Sequence, residues 1–284
     1  MILQNLEQGT PEWKLWRKSK IMATDSPIIL GVNPYKTPYK LWREKLSLDD
    51  EMTPNERMLE GARLEPIARE AFVKHLNLSF EPLVCVSKEF DWMGASLDGF
   101  NQKEGLAVEI KCSRKCFENA ENDFIEPYYI AQIQHQMCVL NLKMMFYFAY
   151  WGGNFVIKEI HRDENLIRNI IELGTDFYYN LQTLTEPNLM NCDYVNMENN
   201  SEWISYANAY IAKKKEREKL EKEEKEYREK LLQLSLGSNA MGAGIKLRKV
   251  VSAGRIDWNS IEELKNIDTS RYRKPPIESW RIIS

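Results

Sequence analysis

"WMGASLDGFNQKEGLAVEIKCS", Trp92 to Ser113, sets two apolar runs around the polar, glycine-ended turn "NQKEG", the pattern of a β-hairpin. Three charged residues, Asp98, Glu109 and Lys111, interrupt strands that otherwise read as core. Side chains alternate along a strand, so Glu109 and Lys111 share one face and Ile110 points to the other. If the register sets Asp98 opposite Glu109, their Cβ atoms lie about 4.5 to 5.5 Å apart, where two carboxylates repel. A divalent cation offsets that repulsion, since Mg2+ takes oxygen ligands, commonly one or two carboxylates with waters and substrate phosphate. The Ile110 carbonyl is a further candidate ligand. Lys111 is placed to orient an attacking water and to stabilise charge at phosphorus, which makes this a phosphodiester-cleaving arrangement. The plain alternative is a Lys111–Asp98 ion pair, because Asp followed about ten residues later by Glu-x-Lys arises often by chance. Context favours the site. Small Gly94, Ala95 and Gly99 allow close approach, and "AQIQHQM" sets Gln132, His135 and Gln136 on one helical face.

Working outward, Val84–Val86, Met93–Phe100, Leu106–Cys112 and Lys143–Trp151 read as strands, with a helix from about Tyr128 to Leu142 between the last two. That is an α/β order with a mixed sheet. A strand ending at Ile160 and a helix from Glu164 to Leu181 close the core. Upstream, apolar residues recur at helical spacing from Glu56 to Leu76, where Gly61 and Pro66 predict a kink or a late start. Thr10, Pro11 and Glu12 supply a cap, a first-turn proline and a first-turn acid for a short helix carrying Trp13, Trp16 and Arg17. "ATDSPIILG" predicts another starting near Thr24, and "NPYKTPY" reads as turn. Free N–H groups at such a start suit a phosphate, and Arg17 with Thr24 and Ser26 would complete an anion pocket; an ordinary cap beside a surface arginine is the alternative.

The 284 residues, 43% hydrophobic and 29% charged, are enough for one large domain with an appendage. A net charge of -3 means that a polyanion must be held by a local basic patch. With neither a secretory signal nor a long apolar run, the expected location is the cytoplasm of a bacterial or phage-infected cell, without membrane association. Five scattered cysteines and no CxxC predict reduced thiols, and three histidines without HExxH predict surface or core residues. Ser205 to Leu236 reads as one long charged helix with favourable i,i+4 pairs such as Glu218 and Lys222. Its sparse apolar stripe predicts an arm packed at its ends in preference to a sustained coiled coil. "IKLRKVVS" and "RIDWNS" then read as two short strands. Lys246, Arg248, Lys249 and Arg255, with Arg271, Arg273, Lys274 and Arg281 in the tail, form a basic cluster.

"GASLDGF", "LAVEIKC" and "YYIAQIQHQM" resemble the motifs of the PD-(D/E)xK nucleases, most closely the phage lambda-type exonuclease and YqaJ-like viral recombinase family, from about Thr10 to Ile160. The resemblance implies an α/β (α+β) restriction-endonuclease-like core, a mixed β-sheet flanked by helices, here followed by a helical arm and a small β-hairpin. The expected division is a nuclease domain over 1–200, the charged helix over 201–236, and a hairpin with a basic tail over 237–284. The implied activity is Mg2+-dependent digestion of one strand of duplex DNA from a 5′ end, with Mn2+ as a possible substitute. Asp98, Glu109, Lys111 and Gln132 match catalytic positions. Glu65 matches an upstream acid bearing on the metal, joining Asp98, Glu109 and Ile110 as the expected metal set. Arg17 and Thr24 inherit binding of the 5′ phosphate. A homotrimer and a single-strand annealing protein are the implied partners besides DNA ends. Leu97 stands where "PDG" would have proline. A structure- or site-specific endonuclease and a non-catalytic DNA-binding recombination scaffold are the competing functions.

Overall fold

The computed structural model describes residues 1–49, 53, 55–257, 260–262 and 282. The chain divides into two compact units, Met1–Tyr194 and Val195–Ser284. The first opens with β1 (Ile2–Leu3), α1 (Pro11–Lys18), β2 (Ile21–Met22), α2 (Ser26–Ile29), α3 (Pro38–Lys45) and α4 (Glu56–Leu76). It continues through β3 (Glu81–Val86), β4 (Met93–Asn101), β5 (Leu106–Lys111), α5 (Arg114–Glu121), α6 (Pro127–Leu140), β6 (Met144–Trp151), β7 (Asn154–His161) and α7 (Glu164–Thr183).

Six of the seven strands run in the order β1-β3-β4-β5-β6-β7, and β2 pairs with β4 from off that path. Among the described strands, only β2–β4 and β5–β6 are parallel pairs. A parallel pair needs a long crossover, and α5 with α6 supplies the one between β5 and β6. Each strand of the hairpin alternates between two apolar layers. Val108 and Ile110 pack with Phe72 and Phe148 on one side, whereas Ala107 joins Ile133 and Met137 of α6 on the other. Glu109 and Lys111, in step with Ala107, therefore emerge on the α6 side. Gly99 has to be glycine, because a Cβ there would meet Val108 Cγ1 at 2.8 Å and Phe80 Cβ at 3.1 Å.

The mixed sheet flanked by helices is as expected, with three local differences. "NPYKTPY" is not all turn. Its second half starts α3, where the Thr37 hydroxyl accepts the Lys40 N–H and Pro38 holds the first turn. Helix α5, capped by Ser113, was hidden by an apolar stripe in which only Cys116 and Ala120 are buried.

The third difference lies in the second unit, which contains α8 (Ser201–Leu234) and the antiparallel strands β8 (Ala240–Gly242) and β9 (Ile245–Leu247). Within "IKLRKVVS" only Ile245–Leu247 is strand, and it pairs backwards with "AMG"; of "RIDWNS", the described Arg255, Ile256 and Asp257 are not strand. The turn residues Ala243 and Gly244 both have positive φ, +48° and +82°, the geometry that matches strand twist in a two-residue hairpin. Trp258 and Asn259, like the tail cations Arg271, Arg273, Lys274 and Arg281, lie outside the described residues. No described helix is long and apolar enough to cross a membrane.

Candidate active site

Past the Gly99–Val108 pair, the ladder between β4 and β5 gives way to a side chain: the Ile110 N–H donates to Asp98 Oδ2 at 2.7 Å. This fixes Asp98 beside Glu109, the next pair in the same register. Glu109 is 1% exposed, so its charge must be met within the protein. Lys111 Nζ and Gln132 Nε2 donate to Oε1 at 2.5 and 2.6 Å, and Gln136 Nε2 donates to Oε2 at 2.6 Å. Both glutamines come from α6, which buries nine of its residues, so their amide N–H groups need acceptors inside the protein. Lys111 Nζ also lies 4.8 Å from the centre of the Tyr129 ring.

The electrostatics single out Asp98. Burial first, then the Glu109 charge, push its carboxyl well above the ordinary carboxylate range; Glu65 adds to this against the opposing pull of Lys111 and the Ile110 N–H. Burial works against the Lys111 ammonium, yet the Glu109 and Asp98 carboxylates outweigh it and hold its pKa above the usual lysine value. Asp98 and Lys111 each keep an exposed edge, so the cluster opens to solvent.

Asp98, Glu109, Lys111 and Gln132 thus meet as the sequence reading placed them. Glu65 stands in α4, close enough to act on Asp98, and its Oε1 accepts from Arg69 Nη2 at 2.6 Å. Among the described residues, no three His, Cys, Asp or Glu side chains are grouped to hold a metal ion. Lys111 pairs with Glu109 and Arg69 with Glu65. The donor chemistry nevertheless fits a hard cation: burial and the Glu109 charge both raise the Asp98 carboxyl, and a divalent ion between the two carboxylates would offset that.

The sequence reading set Gln136 on the Gln132 face but gave no role to it or to Tyr129. Both lie on the Gln132 face by i,i+4 and i,i+3 spacing, which is the signal that finds them. It also missed Lys45, for which no local signal exists.

Arg17 and Thr24 also come together, with Arg17 Nη2 donating to Thr24 Oγ1 at 3.0 Å and the guanidinium 4.4 Å above the Trp13 ring. The segment is anchored from below. Lys45 Nζ donates to Asp25 Oδ2 at 2.5 Å and to the carbonyls of Arg17 and Lys20 at 2.8 and 2.7 Å, using all three of its protons. Ser26 Oγ is 2.6 Å from His135 Nδ1, and His135 Nε2 is 2.9 Å from the Gly94 carbonyl. A carbonyl can only accept, so Nε2 carries the proton and Nδ1 accepts from Ser26. His135 is accordingly a core residue, its pKa pushed down to about 4 by burial. Through it the Arg17–Ser26 segment is tied to the helix that holds Glu109.

The cluster thus sits on the central hairpin of a mixed sheet flanked by helices. Residues 12–143 match the family model described as the YqaJ-like viral recombinase domain, so the resemblance read from the motifs is borne out over that segment. The YqaJ protein of Bacillus subtilis (strain 168), itself uncharacterised, is 29% identical over 185 residues, which cover 63% of this chain and 58% of that one. The matched segment thus spans little more than half of that relative. Among solved structures, an alkaline exonuclease from Laribacter hongkongensis superposes with a TM-score of 0.53 at 23% identity, covering 62% of this chain and 94% of that one. The same exonuclease in complex with dAMP gives a TM-score of 0.52 at 22% identity, with the same coverage.

Proposed function

We propose that the protein is a Mg2+-dependent deoxyribonuclease, able to use Mn2+, that digests one strand of duplex DNA from a 5′ end in the 5′ to 3′ direction and leaves single strands for phage-type recombination. The observation that carries this reading is the meeting of Asp98, Glu109, Lys111 and Gln132 at the break in the β4–β5 ladder. The shared fold with a protein described as an alkaline exonuclease supports it.

Asp98, Glu109 and the Ile110 carbonyl would hold Mg2+, with Glu65 close by. When bound, the ion supplies Lewis-acid stabilisation of the phosphoryl oxygens. Lys111, held protonated by its carboxylate neighbours, cannot take a proton. It orients the attacking water and balances negative charge growing at phosphorus. Gln132 and Gln136 fix the Glu109 oxygens so that the carboxylate does not turn away during the reaction. Arg17 and Thr24 receive the 5′ phosphate at the substrate end.

Residues 1–200 act as the nuclease domain, 201–236 as an arm and 237–284 as a hairpin with a tail. Lys246, Arg248, Lys249 and Arg255, all exposed, add phosphate contacts. A homotrimer and an annealing protein complete the expected assembly. The test is incubation with Mg2+ and linear duplexes carrying 5′ phosphate or 5′ hydroxyl, beside a closed circle. Loss of linear duplex alone, faster from the phosphate, is expected. Cutting of the circle would make the protein an endonuclease, and no cutting would make it a scaffold.

A further inference from the structure

Helix α8 runs for 34 residues without one buried side chain. Most of its large apolar residues are nevertheless ordered, with Ile204, Ile211 and Leu232 at the place next to a. Trp203, Tyr206, Tyr210, Leu220, Tyr227, Leu231 and Leu234 fall on alternating steps of three and four, the a and d places of a heptad that begins with Trp203 as a. All seven are exposed, from 40% for Leu231 to 79% for Leu234. The remaining a and d places hold Lys213, Arg217 and Glu224.

We infer that this stripe docks on α8 of a second copy of the chain, with the two helices antiparallel. Charge sets the direction. In a parallel, in-register pair a faces a and d faces d, so Lys213, Arg217 and Glu224 would each meet the same residue of the other copy, three like-charge layers with only the Leu220 layer among them. In an antiparallel pair a faces d about a midpoint between Arg217 and Leu220. Trp203 then meets Leu234, Tyr206 meets Leu231 and Tyr210 meets Tyr227, giving six apolar layers over the two helices. Lys213 meets Glu224, which turns repulsion into two ion pairs. Arg217 meets Leu220, its stem lying over the leucine while its head reaches Glu221 of its own helix, 3.2 Å away.

The flanking places do not change this result. Lys214 faces Glu221 favourably, Glu216 faces Glu223 unfavourably, and each of those two glutamates has a lysine of its own helix within 4 Å, Lys213 at 2.8 Å and Lys219 at 3.8 Å. The contact is two-fold. It can join two rings of the nuclease but cannot close a three-fold ring.

The test is sedimentation equilibrium of the full-length protein across a concentration series, for wild type, Lys213→Glu, Glu224→Lys and the double variant. Both substitutions fall on exposed positions, and circular dichroism checks that helix content is kept. Either single reversal is expected to weaken the two-fold association about tenfold or more, and the double to restore it to within about threefold. A parallel pair keeps its like-charge layers under every one of these changes. Equal association of all four proteins, or a double variant as weak as the singles, would overturn the inference.

Discussion

Lys111 pairs with Glu109 and not with Asp98, its Nζ standing 2.5 Å from Oε1 of the glutamate two residues earlier on the same strand. Asp98 is left with the Ile110 N–H as its direct donor and with Glu109 as a like-charged neighbour. The ion pair expected on ordinary grounds between Asp98 and Lys111 is therefore absent among the described contacts, and the unbalanced carboxylate is the one that invites a cation.

Asp98→Asn is expected to abolish cleavage and, without metal, to raise the melting temperature at about pH 8. The sign follows from the raised folded-state value. Between the unfolded value of 3.8 and that higher one, the folded chain binds more protons, so the wild-type carboxyl loses stability as pH rises through it. Asparagine keeps the acceptor for Ile110 and has no charge to suppress. Calorimetry at about pH 8 and again at about pH 4 reads the difference, which should shrink at the acid end. A lower melting temperature for the variant at the alkaline end would contradict the charge imbalance.

Gln136→Ala should lower turnover about 10- to 100-fold with DNA affinity little changed, because it frees Glu109 Oε2 without touching the substrate-facing groups. Single-turnover cleavage and a binding isotherm in Ca2+ separate the two quantities. Weakened binding with normal turnover would place Gln136 on the DNA and not behind the carboxylate.

The hairpin was legible because its charged residues violate an otherwise apolar pattern, and α6 because Gln132 and Gln136 repeat at helical spacing. What they touch was not legible. The bonds to Glu109 span 23 and 27 residues, and only the parallel β5–β6 crossover brings them together. Helix α3 carried the same Thr-Pro start as α1, yet the neighbouring "NP" and a second proline drew the reading toward turn. Strand β2, two residues long, has no periodicity to detect; it exists because Gly94 leaves room for Met22, whose Sδ would lie 2.9 Å from a Cβ there.

Arg17→Ala should remove most of the preference for a 5′-phosphorylated end, and Arg17→Lys should recover only part of it. A lysine keeps the charge but loses both the planar fork that reaches Thr24 and the stack on Trp13. Competition between phosphate- and hydroxyl-ended duplexes measures the ratio. A wild type indifferent to the two ends would remove the pocket assignment.

His135 makes a separate acid prediction. Its ring has a pKa of about 4 in the fold against 6.5 when free, so the unfolded chain binds more protons between those values and stability falls as pH drops through that window. The loss attributable to this one buried ring is about 3 kcal/mol. Denaturant midpoints followed from about pH 7 to pH 4 should show that slope, and His135→Gln should flatten it even if the variant starts from a lower stability. An unchanged slope would mean that the ring reaches solvent before the chain unfolds.

The bond from the Ile110 N–H to Asp98 has a spectroscopic consequence. An amide proton given to a charged oxygen is shifted downfield, and the shift relaxes when that oxygen gains a proton or turns to another partner. The Ile110 resonance is therefore expected to follow the state of the Asp98 carboxylate directly, so that ion titrations can be read from a single backbone signal in protein that has never met DNA.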